Sequence, residues 1–194
     1  MKPLRGKLKL LSETFRNLGR PVTVDYPAGA WPGTKHGQAP PGLRGRLRFN
    51  PEKCVGCGAC SQACTSGANS FNDEAGKRTV RIALGRCIFC GRCREICPQE
   101  ALDQTPEFEL AYMDPGDTEL TEVKVETGLA QCASCGVAFA PSRQIEAVKE
   151  RVLKNIDPSE RERVAADLEK YSYYCPNCRR RMSYEWDTHP RRYY

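Results

Sequence analysis

The stretch that decides the fold is a repeated cysteine run, CVGCGACSQAC at residues 54–64 and CIFCGRCREIC at residues 87–97. Both runs have the spacing C-x2-C-x2-C-x3-C, and their first cysteines are 33 residues apart. Three thiolates at this spacing can wrap three corners of a cubane cluster, because the short loops let successive sulfur atoms converge on one side. Soft thiolates suit iron–sulfur chemistry better than a hard cation does. Zinc sites and disulfides are the alternative interpretation, and two copies in register favour iron–sulfur clusters.

The segment between the runs is short and rich in turn residues. NDEAG at 72–76 separates two weakly alternating segments, and RTVRIAL at 78–84 places Val80, Ile82 and Leu84 at strand spacing. Two equivalent halves of this size predict a pseudo-two-fold module, because a solenoid needs more copies of its repeat.

The composition indicates a small protein whose fold must be stabilised by metal or disulfides. Its 194 residues include twelve cysteines and are only 40% hydrophobic, so one large apolar core is not expected. The basic start lacks the uninterrupted apolar region of a secretory signal, and no apolar run approaches the ~20 residues of a membrane span. We therefore expect a reducing cytosol, where spaced cysteines indicate metal. The net charge of +6 fits nucleic acid, anionic lipid or an acidic partner and does not choose among them.

The sequences CVGCGACSQAC and CIFCGRCREICPQEAL resemble the two halves of a bacterial-type 2[4Fe-4S] ferredoxin domain. The resemblance implies an α+β fold in which two ββα-like halves pack around two [4Fe-4S] clusters. In such ferredoxins the fourth cysteine of each run ligates the other cluster. The first implied ligand set is Cys54, Cys57, Cys60 and Cys97. The second implied ligand set is Cys87, Cys90, Cys93 and Cys64.

The two halves differ after the fourth cysteine and share glycines beside the earlier ones. Cys97 is followed by a proline and Cys64 by a threonine, so we expect a difference in the local turn and not in the ligand set. The glycines are Gly56, Gly58 and Gly91. They would leave backbone N–H groups close to sulfur and so tune a reduction potential. The alternative is that they only permit tight turns.

A third group of cysteines has a different character. CASC at 132–135 and CPNC at 175–178 form two C-x2-C knuckles with a long insert, the pattern of a closed tetrahedral zinc site with four thiolate ligands. Both knuckles resemble those of zinc ribbons, and rubredoxin-type iron uses the same spacing. The four candidate ligands are Cys132, Cys135, Cys175 and Cys178. A thioredoxin-like motif is not favoured, because neither pair lies at a strand-to-helix turn of a βαβ unit.

Two helices are predicted between these knuckles, so the zinc-ribbon-like module contains an α-hairpin. The first helix follows a Ser142 cap. Its apolar face comprises Ile145, Val148 and Val152. The second helix opens at DPSE, with Asp157 as the cap, Pro158 at the first helical position and Glu160 at the capping-box position. Its apolar positions are Val164, Leu168 and Tyr171.

The leader, residues 1–27, is basic and is predicted to begin with an amphipathic helix. The residues at the spacing of one helical face are Leu4, Leu8, Leu11, Phe15 and Leu18. Basic residues flank this face, as in helices that lie on a membrane surface or dock on a partner. The alternative is a helix that covers the protein's own core. RPVTVDYP at 20–27 is predicted to be extended, and residues 28–45 are too rich in Gly and Pro for regular structure.

These features predict five segments along the chain. An N-terminal helix with a docking arm occupies 1–46, the ferredoxin domain 47–111, the zinc-ribbon-like module 131–183 and a basic tail 184–194. Residues 112–130 are acidic and lack cysteine, so they are predicted to be a linker or an edge-strand connection.

PVTVDYP (21–27), RGRLRFNPEKCVGCGAC (44–60) and CPQEALDQTPEFELA (97–111) carry a second resemblance. They are similar to the iron–sulfur relay subunit shared by respiratory complex I, where it is the ferredoxin-like subunit I, and membrane-bound energy-converting [NiFe] hydrogenases. The resemblance implies a ferredoxin domain on the cytoplasmic arm that passes electrons between cluster-bearing subunits, with the N-terminal helix along the membrane subunit. The zinc-ribbon-like module is not typical of complex I and is similar to the corresponding subunit of formate hydrogenlyase and related hydrogenases.

We therefore expect an electron-transfer subunit of a formate hydrogenlyase-like, membrane-bound hydrogenase complex. Its implied partners are other iron–sulfur and [NiFe] hydrogenase-type subunits and an integral membrane subunit, with an anionic lipid surface at the N-terminal helix. We expect it to be peripheral, on the cytoplasmic side of the membrane. The sequence shows no general base, nucleophile, phosphate loop or dinucleotide motif, so the chain alone is expected to catalyse nothing.

Three alternatives remain open at the level of the sequence. The chain could be the relay subunit of a complex I-type NADH or ferredoxin:quinone oxidoreductase, a free soluble ferredoxin, or a zinc-ribbon nucleic-acid binder. CRRRM at 178–182 and HPRRYY at 189–194 suggest this binder, because arginine clusters next to aromatic residues suit phosphate binding and base stacking. Basic residues are scattered over all regions, however, so we expect no nucleic-acid partner. His36 and His189 are assigned no role.

Overall fold

The structure, a computed structural model, describes residues 3–18, 28–30, 35, 37–111 and 121–187 of the chain. The chain divides into two compact units, Met1–Leu43 and Arg44–Tyr194. Among the described residues, no helix has both the length and the apolar composition that a bilayer span requires.

The described part of the first unit consists of helix α1, Pro3–Asn17, and irregular residues. The helix therefore forms over the range in which the apolar spacing predicts it. Its exposed apolar residues, with the residue that follows the helix, are Leu8, Leu10, Leu11, Phe15 and Leu18. The predicted extended segment at 20–27 lies outside the described residues. The described residues between 28 and 43 form no helix or strand, as their Gly and Pro content predicts.

The second unit mixes short helices with antiparallel sheet. Its strands are β1 Leu47–Phe49, β2 Asn69–Glu74, β3 Lys77–Ala83, β4 Leu102–Gln104, β5 Glu122–Gln131 and β6 Ala138–Pro141. Its helices are α2 Ala59–Gln62, α3 Arg92–Glu95, α4 Ser142–Asn155, α5 Arg161–Tyr171 and α6 Pro176–Met182, with a 3-10 turn at Leu84–Arg86.

Two sheets organise this unit. Strand β1 pairs antiparallel with β4, and strands β2, β3, β5 and β6 form a four-stranded antiparallel sheet in that order. The β2–β3 hairpin turns at Ala75 and Gly76, whose φ angles of 49° and 75° are the left-handed pair that suits the twist of a two-residue hairpin. The hairpin thus turns inside NDEAG, as the sequence predicts.

The core lies where the two cysteine runs meet the strands. Val80 and Ile82 lie on β3 and are buried, which confirms the predicted strand spacing, whereas Leu84 is also buried but opens the 3-10 turn that follows the strand. The other buried members of this cluster are Leu47, Phe49, Cys54, Cys60, Cys93, Ala101, Leu102 and Val125. Cysteines of both runs are thus part of the apolar core itself.

The linker prediction for 112–130 is wrong over its second half. Residues 122–131 form β5, which pairs with β3 over seven positions from Lys77↔Gly128 to Ala83↔Glu122. Strand β5 is also not an edge, because β6 pairs with its other side. The strand was not predicted because the composition of the segment is acidic. Glu122 and Glu126 alternate with side chains that pack inward, among them Val125 and Thr127.

The same pairing changes the domain organisation. The segments predicted as a ferredoxin domain (47–111) and a zinc-ribbon-like module (131–183) both contribute strands to one four-stranded sheet and belong to one compact unit. Residues 112–120, which connect them, lie outside the described part of the chain.

The first helix of the α-hairpin begins and packs differently from the prediction. Ser142 is the first residue of α4 and not its cap, and its hydroxyl donates to the Gly128 carbonyl at 3.4 Å. Val148 is 52% exposed, whereas Lys149 is buried. The reason is that Lys149 donates to Glu169 of α5 at 2.7 Å. A lysine paired in this way can be buried, and Lys149 therefore occupies the buried position that the apolar periodicity predicts for Val148.

The second helix begins later than predicted. Asp157 accepts hydrogen bonds from the N–H and the hydroxyl of Ser159, which closes a turn over residues 158–160. Helix α5 therefore starts at Arg161, and Glu160 precedes it as the capping residue without a side-chain hydrogen bond. The side chain of Asp157 stabilises the turn and does not cap the helix.

Candidate metal centres

Four cysteines drawn from both runs line one small cavity. They are Cys54, Cys57, Cys60 and Cys97. Phe49, Val80 and Leu102, from β1, β3 and β4, close its apolar side. The structure thus brings together the members of the first implied ligand set, including the one cysteine that comes from the second run.

The charges of these cysteines act on one another. Burial raises the pKa of the Cys54 thiol, and the nearby Cys97 and Cys57 raise it further. Burial also raises the pKa of Cys60 to about 12, with Cys57 and then Cys93 adding to it. As free thiols these buried groups would stay protonated at neutral pH. A metal cluster would supply the positive charge that a buried thiolate needs, so the pocket fits one.

The second implied ligand set is also brought together. Burial raises the pKa of Cys87, and the charges of Cys64 and Cys90 raise it further. Burial likewise raises the pKa of Cys93, and Cys87 adds to that effect. Cys90 is exposed, and the neighbouring Ile88 is 65% exposed. This set therefore lies nearer to solvent than the first.

Backbone N–H groups point at the sulfur atoms in both halves. The N–H of Ala101 donates to Cys97 Sγ at 3.2 Å, and the N–H of Ala68, 33 positions earlier, donates to Cys64. Burial would raise the pKa of Cys64, but hydrogen bonds outweigh it and lower that pKa, led by one from the Ser66 hydroxyl. Such donors stabilise thiolate charge, as iron–sulfur sites require.

The glycines of the runs serve tight turns and close packing. Gly56, Gly58 and Gly91 all have left-handed φ angles, of 68°, 75° and 81°. A Cβ on Gly56 would lie 2.4 Å from Thr127 Oγ1, and one on Gly58 would lie 3.0 Å from the ring of Phe71. The N–H of Gly56 also acts to lower the pKa of Cys54 by a hydrogen bond, so this glycine both permits a tight turn and places an N–H group beside sulfur.

The C-terminal half packs against the loop that precedes the first run. The guanidinium of Arg143, at the start of α4, donates to the carbonyl of Pro51 at 2.6 Å and to the carbonyl of Glu52. Arg151 donates to the Pro98 carbonyl at 3.4 Å. These contacts bring α4 over the loops that carry the first cysteine set.

The third cysteine group forms a compact sulfur cluster. The Sγ atoms of Cys132, Cys135, Cys175 and Cys178 all lie within 4.8 Å of one another. The first pair sits in the turn between β5 and β6, and the second pair opens α6, where Cys175 is the N-cap and Pro176 the first helical residue. The second knuckle is therefore built on a helix and not on a second hairpin.

Hydrogen bonds prepare this cluster for a cation. Cys132 Sγ accepts from the N–H of Cys175 at 3.2 Å, which is the main reason that its pKa is lowered to about 6. The N–H of Val137 acts to lower the pKa of Cys135, but sulfur neighbours led by Cys132 outweigh it and raise that pKa to about 11. Four sulfurs this close together would fill the four positions of a tetrahedral metal ion, which fits a closed structural site.

Sequence reasoning missed several residues that support the sites. They are Asn69, Arg78, Gln104 and Arg143. Asn69 is buried at the start of β2, donates to the Cys60 carbonyl at 3.3 Å and lowers the pKa of Cys93 by a hydrogen bond. Aligning the two halves pairs Asn69 with Leu102, so a polar residue in an apolar position was a visible signal. For the other three, the comparison of the two halves gave no such signal.

Comparison with known proteins identifies the repeated runs. The 4Fe-4S dicluster domain family matches residues 53–101. NADH-quinone oxidoreductase subunit I of Carboxydothermus hydrogenoformans is 38% identical over 80 residues, which cover 39% of this chain and 52% of that protein. The chain therefore matches about half the length of this relative. With the family match, the described helices and strands show a ferredoxin-type dicluster domain within a mixed helix and sheet fold.

A solved structure also aligns with the chain. It is a chain of the membrane-bound sulfane sulfur reductase, an archaeal respiratory membrane complex, at 26% identity and a TM-score of 0.37. The alignment covers 55% of this chain and 56% of that chain.

Proposed function

We propose that this chain is an electron-transfer subunit of a membrane-bound respiratory complex. It binds two [4Fe-4S] clusters and passes electrons between redox partners. The observation that carries the proposal is the convergence of eight cysteines into two sets, each with members from both runs. The first set is Cys54, Cys57, Cys60 and Cys97. The second set is Cys87, Cys90, Cys93 and Cys64.

The chain's own residues bind and surround the clusters. A [4Fe-4S] cluster, when bound, accepts and releases one electron at a time. Cys60 and Cys93 bring the two sets into electrostatic contact, and Asn69 donates a hydrogen bond to each of the two residues. The exposed Cys90 gives the second set an approach to the protein surface. The apolar residues of the cavity around the first set exclude water.

For the branch of the family, we propose the relay subunit of a membrane-bound [NiFe] hydrogenase of the formate hydrogenlyase type. Its support is the resemblance of the zinc-ribbon-like module to that branch. The equivalent subunit of a complex I-type oxidoreductase is the second candidate, and the 38% identity to an NADH-quinone oxidoreductase subunit I favours it. In either case the catalytic site lies on other subunits.

For the third cysteine group, we propose one structural zinc ion held by Cys132, Cys135, Cys175 and Cys178. The closed set of four sulfurs supports this assignment. A rubredoxin-type iron would occupy the same ligands, and metal analysis distinguishes the two.

For the first unit, we propose that α1 docks at the cytoplasmic membrane surface. The exposed apolar residues of the helix support this proposal. They suit an integral membrane subunit, and the basic flanks suit an anionic lipid surface.

The proposal is tested by purifying the full-length protein from native membranes and identifying its partners. We expect about eight iron atoms and one zinc ion per chain, with redox subunits and an integral membrane subunit that co-purify. Removing residues 1–20 should leave the iron content unchanged and release the chain from the complex. A full-length chain found only as a soluble monomer would refute the relay function. Binding to nucleic acid at low salt, with no redox partners, would support the zinc-ribbon alternative.

A further inference from the structure

One residue in each cysteine run joins a sulfur atom to a distant side chain. Gly56 donates its N–H to the sulfur of Cys54, and its carbonyl accepts from Arg78 Nη1 at 3.1 Å. Phe89, 33 positions later, donates its N–H to Cys87 Sγ at 3.4 Å, and its carbonyl accepts from Gln104 Nε2 at 3.2 Å.

Both residues have the left-handed backbone conformation, with φ angles of 68° for Gly56 and 54° for Phe89. This conformation is ordinary for glycine but sterically strained for phenylalanine. A phenylalanine held in it indicates that surrounding contacts fix the peptide. The carbonyl bond from Gln104 is one such contact.

Arg78 is itself held in place on three sides. Its guanidinium makes a two-point ion pair with Asp73, at 2.7 and 2.8 Å, and lies 4.4 Å from the centre of the Phe71 ring. The side chain is only 12% exposed. The remaining nitrogen, Nη1, is the one that binds Gly56. A planar guanidinium can serve both partners at once, which an ammonium cannot do with the same geometry.

Gln104 occupies the corresponding place in the second half with a neutral group. It ends β4, and its Oε1 lies 3.0 Å from the position that a Cβ on Gly91 would take. Its amide therefore sits against the second cysteine run. Arg44 also donates to this run, to the Cys90 carbonyl at 2.9 Å, but its side chain is exposed and water screens its charge.

We propose that Arg78 and Gln104 are positioning residues that raise the reduction potentials of the first and second cluster, respectively. Each binds the carbonyl of the residue whose N–H binds the first cysteine of its run, and so fixes the backbone of that residue. Hydrogen bonds to sulfur stabilise the more negative, reduced state, so losing the clamp makes reduction harder. This inference rests on the proposed cluster ligands.

The test is a redox titration of the full-length protein followed by electron paramagnetic resonance. Arg78→Met is expected to shift one of the two potentials to a more negative value and to leave the other unchanged. Gln104→Leu is expected to shift the other potential in the same direction. Because the two clamps share no partner, the double variant should show both shifts.

The matched control is Arg81→Met. Arg81 lies on the same strand and loses the same charge, but its side chain is 50% exposed and paired with Glu122 at 3.1 Å on the opposite face. We expect neither potential to move in this variant. A shift equal to that of Arg78→Met would mean that overall charge, and not positioning, sets the potential, and would overturn the inference.

Iron content separates this inference from the proposed function. Wild-type protein without about eight iron atoms and two titrating signals would refute the cluster assignment itself. With both signals present, unchanged potentials in Arg78→Met and Gln104→Leu would refute the inference alone. If Arg78→Met loses its iron, Arg78→Lys replaces it. The lysine variant should move the same potential by a smaller amount, and an unchanged value there would also refute the inference.

Discussion

The sulfur of Cys132 accepts a hydrogen bond from the backbone N–H of Cys175 at 3.2 Å, although 43 positions separate the two residues. The bond joins the turn of the β5–β6 hairpin to the start of α6. It forms between two of the four proposed metal ligands, so it holds the two knuckles against each other. The α4–α5 hairpin is the insert that this contact closes.

Cys175→Ser is expected to lose the metal of the third cysteine group and to keep the iron of the two proposed [4Fe-4S] ligand sets. The reason is that β5 stays paired with β3 over seven positions, whatever happens at its far end. Metal analysis by mass spectrometry should give no zinc and about eight iron atoms. Ser134→Ala, in the other knuckle of the same site, is the control and should keep both metals. Loss of iron in Cys175→Ser would contradict the separate roles of the sites.

Gly56→Ala is expected to destabilise the protein more than Gly76→Ala. Both glycines are left-handed, with φ of 68° and 75°, so both substitutions cost roughly 1–2 kcal/mol of backbone strain. Only at Gly56 would the new Cβ meet other atoms, with Thr127 Oγ1 at 2.4 Å, whereas Gly76 has open space. This overpacking should add about 1–3 kcal/mol. Chemical denaturation measures the free energy of unfolding of each variant. Equal losses of stability would show that β5 can shift to accommodate the new Cβ without an energetic cost.

Glu100→Gly is expected to leave stability unchanged or to raise it by up to about 1 kcal/mol. Glu100 is exposed and has a φ of 49°, while Gly67 takes the equivalent position of the first half with a φ of 63°. Glycine removes the strain of the left-handed backbone and adds entropy to the unfolded chain, so the two effects partly cancel. Glu100→Ala retains the Cβ and should show no gain. Thermal unfolding of the two variants side by side tests whether the backbone is the cause.

Lys149→Met is expected to alter stability in a pH-dependent way. The hydrogen bond to Glu169 raises the pKa of Lys149, so its stabilising contribution is fully present below the ordinary lysine pKa of about 10.4. It is lost as pH rises through the raised value in the folded protein. Since Glu169 is 71% exposed, the pair should contribute no more than about 1 kcal/mol.

The melting temperatures of wild type and Lys149→Met should therefore differ most near pH 8 and converge only above the ordinary lysine pKa, as the pH rises through the raised pKa of Lys149. Lys154→Met, an exposed change on the same helix, should show no such convergence. A difference that stays constant with pH would mean that packing of the lysine stem, and not its charge, matters.

The repeat made most of the dicluster domain predictable. The resemblance of its two runs to bacterial ferredoxins implied which cysteines converge. The turn residues between the runs and the period-two alternation of residues 78–84 predicted the turn of the β2–β3 hairpin and the buried side chains of β3, because these are local features. What it did not reveal were contacts to residues outside the runs. The side chains of Arg78 and Gln104 contact the cysteine loops from separate strands, and a local sequence pattern does not predict such long-range contacts.

The C-terminal half was less predictable for a related reason. Strand β5 alternates glutamate with inward-facing residues, and its acidic exposed face resembled a linker. In α4 the periodic valines predicted the wrong face, since Lys149 is buried through its pairing with Glu169 on another helix. Both errors arose where a tertiary partner, absent from the local window, decided burial.

The central position of β5 has a consequence for the making of the protein. All of the cysteines for the two clusters are synthesised before residue 98, but the strand that covers the open edge of β3 is not complete until residue 131. A nascent chain thus holds an unpaired strand edge while its cluster ligands are already available. Unpaired edges invite aggregation. A gene fragment that ends at residue 111 keeps every proposed cluster ligand but lacks β5 and leaves this edge unpaired, so we expect it to aggregate more readily than the full chain.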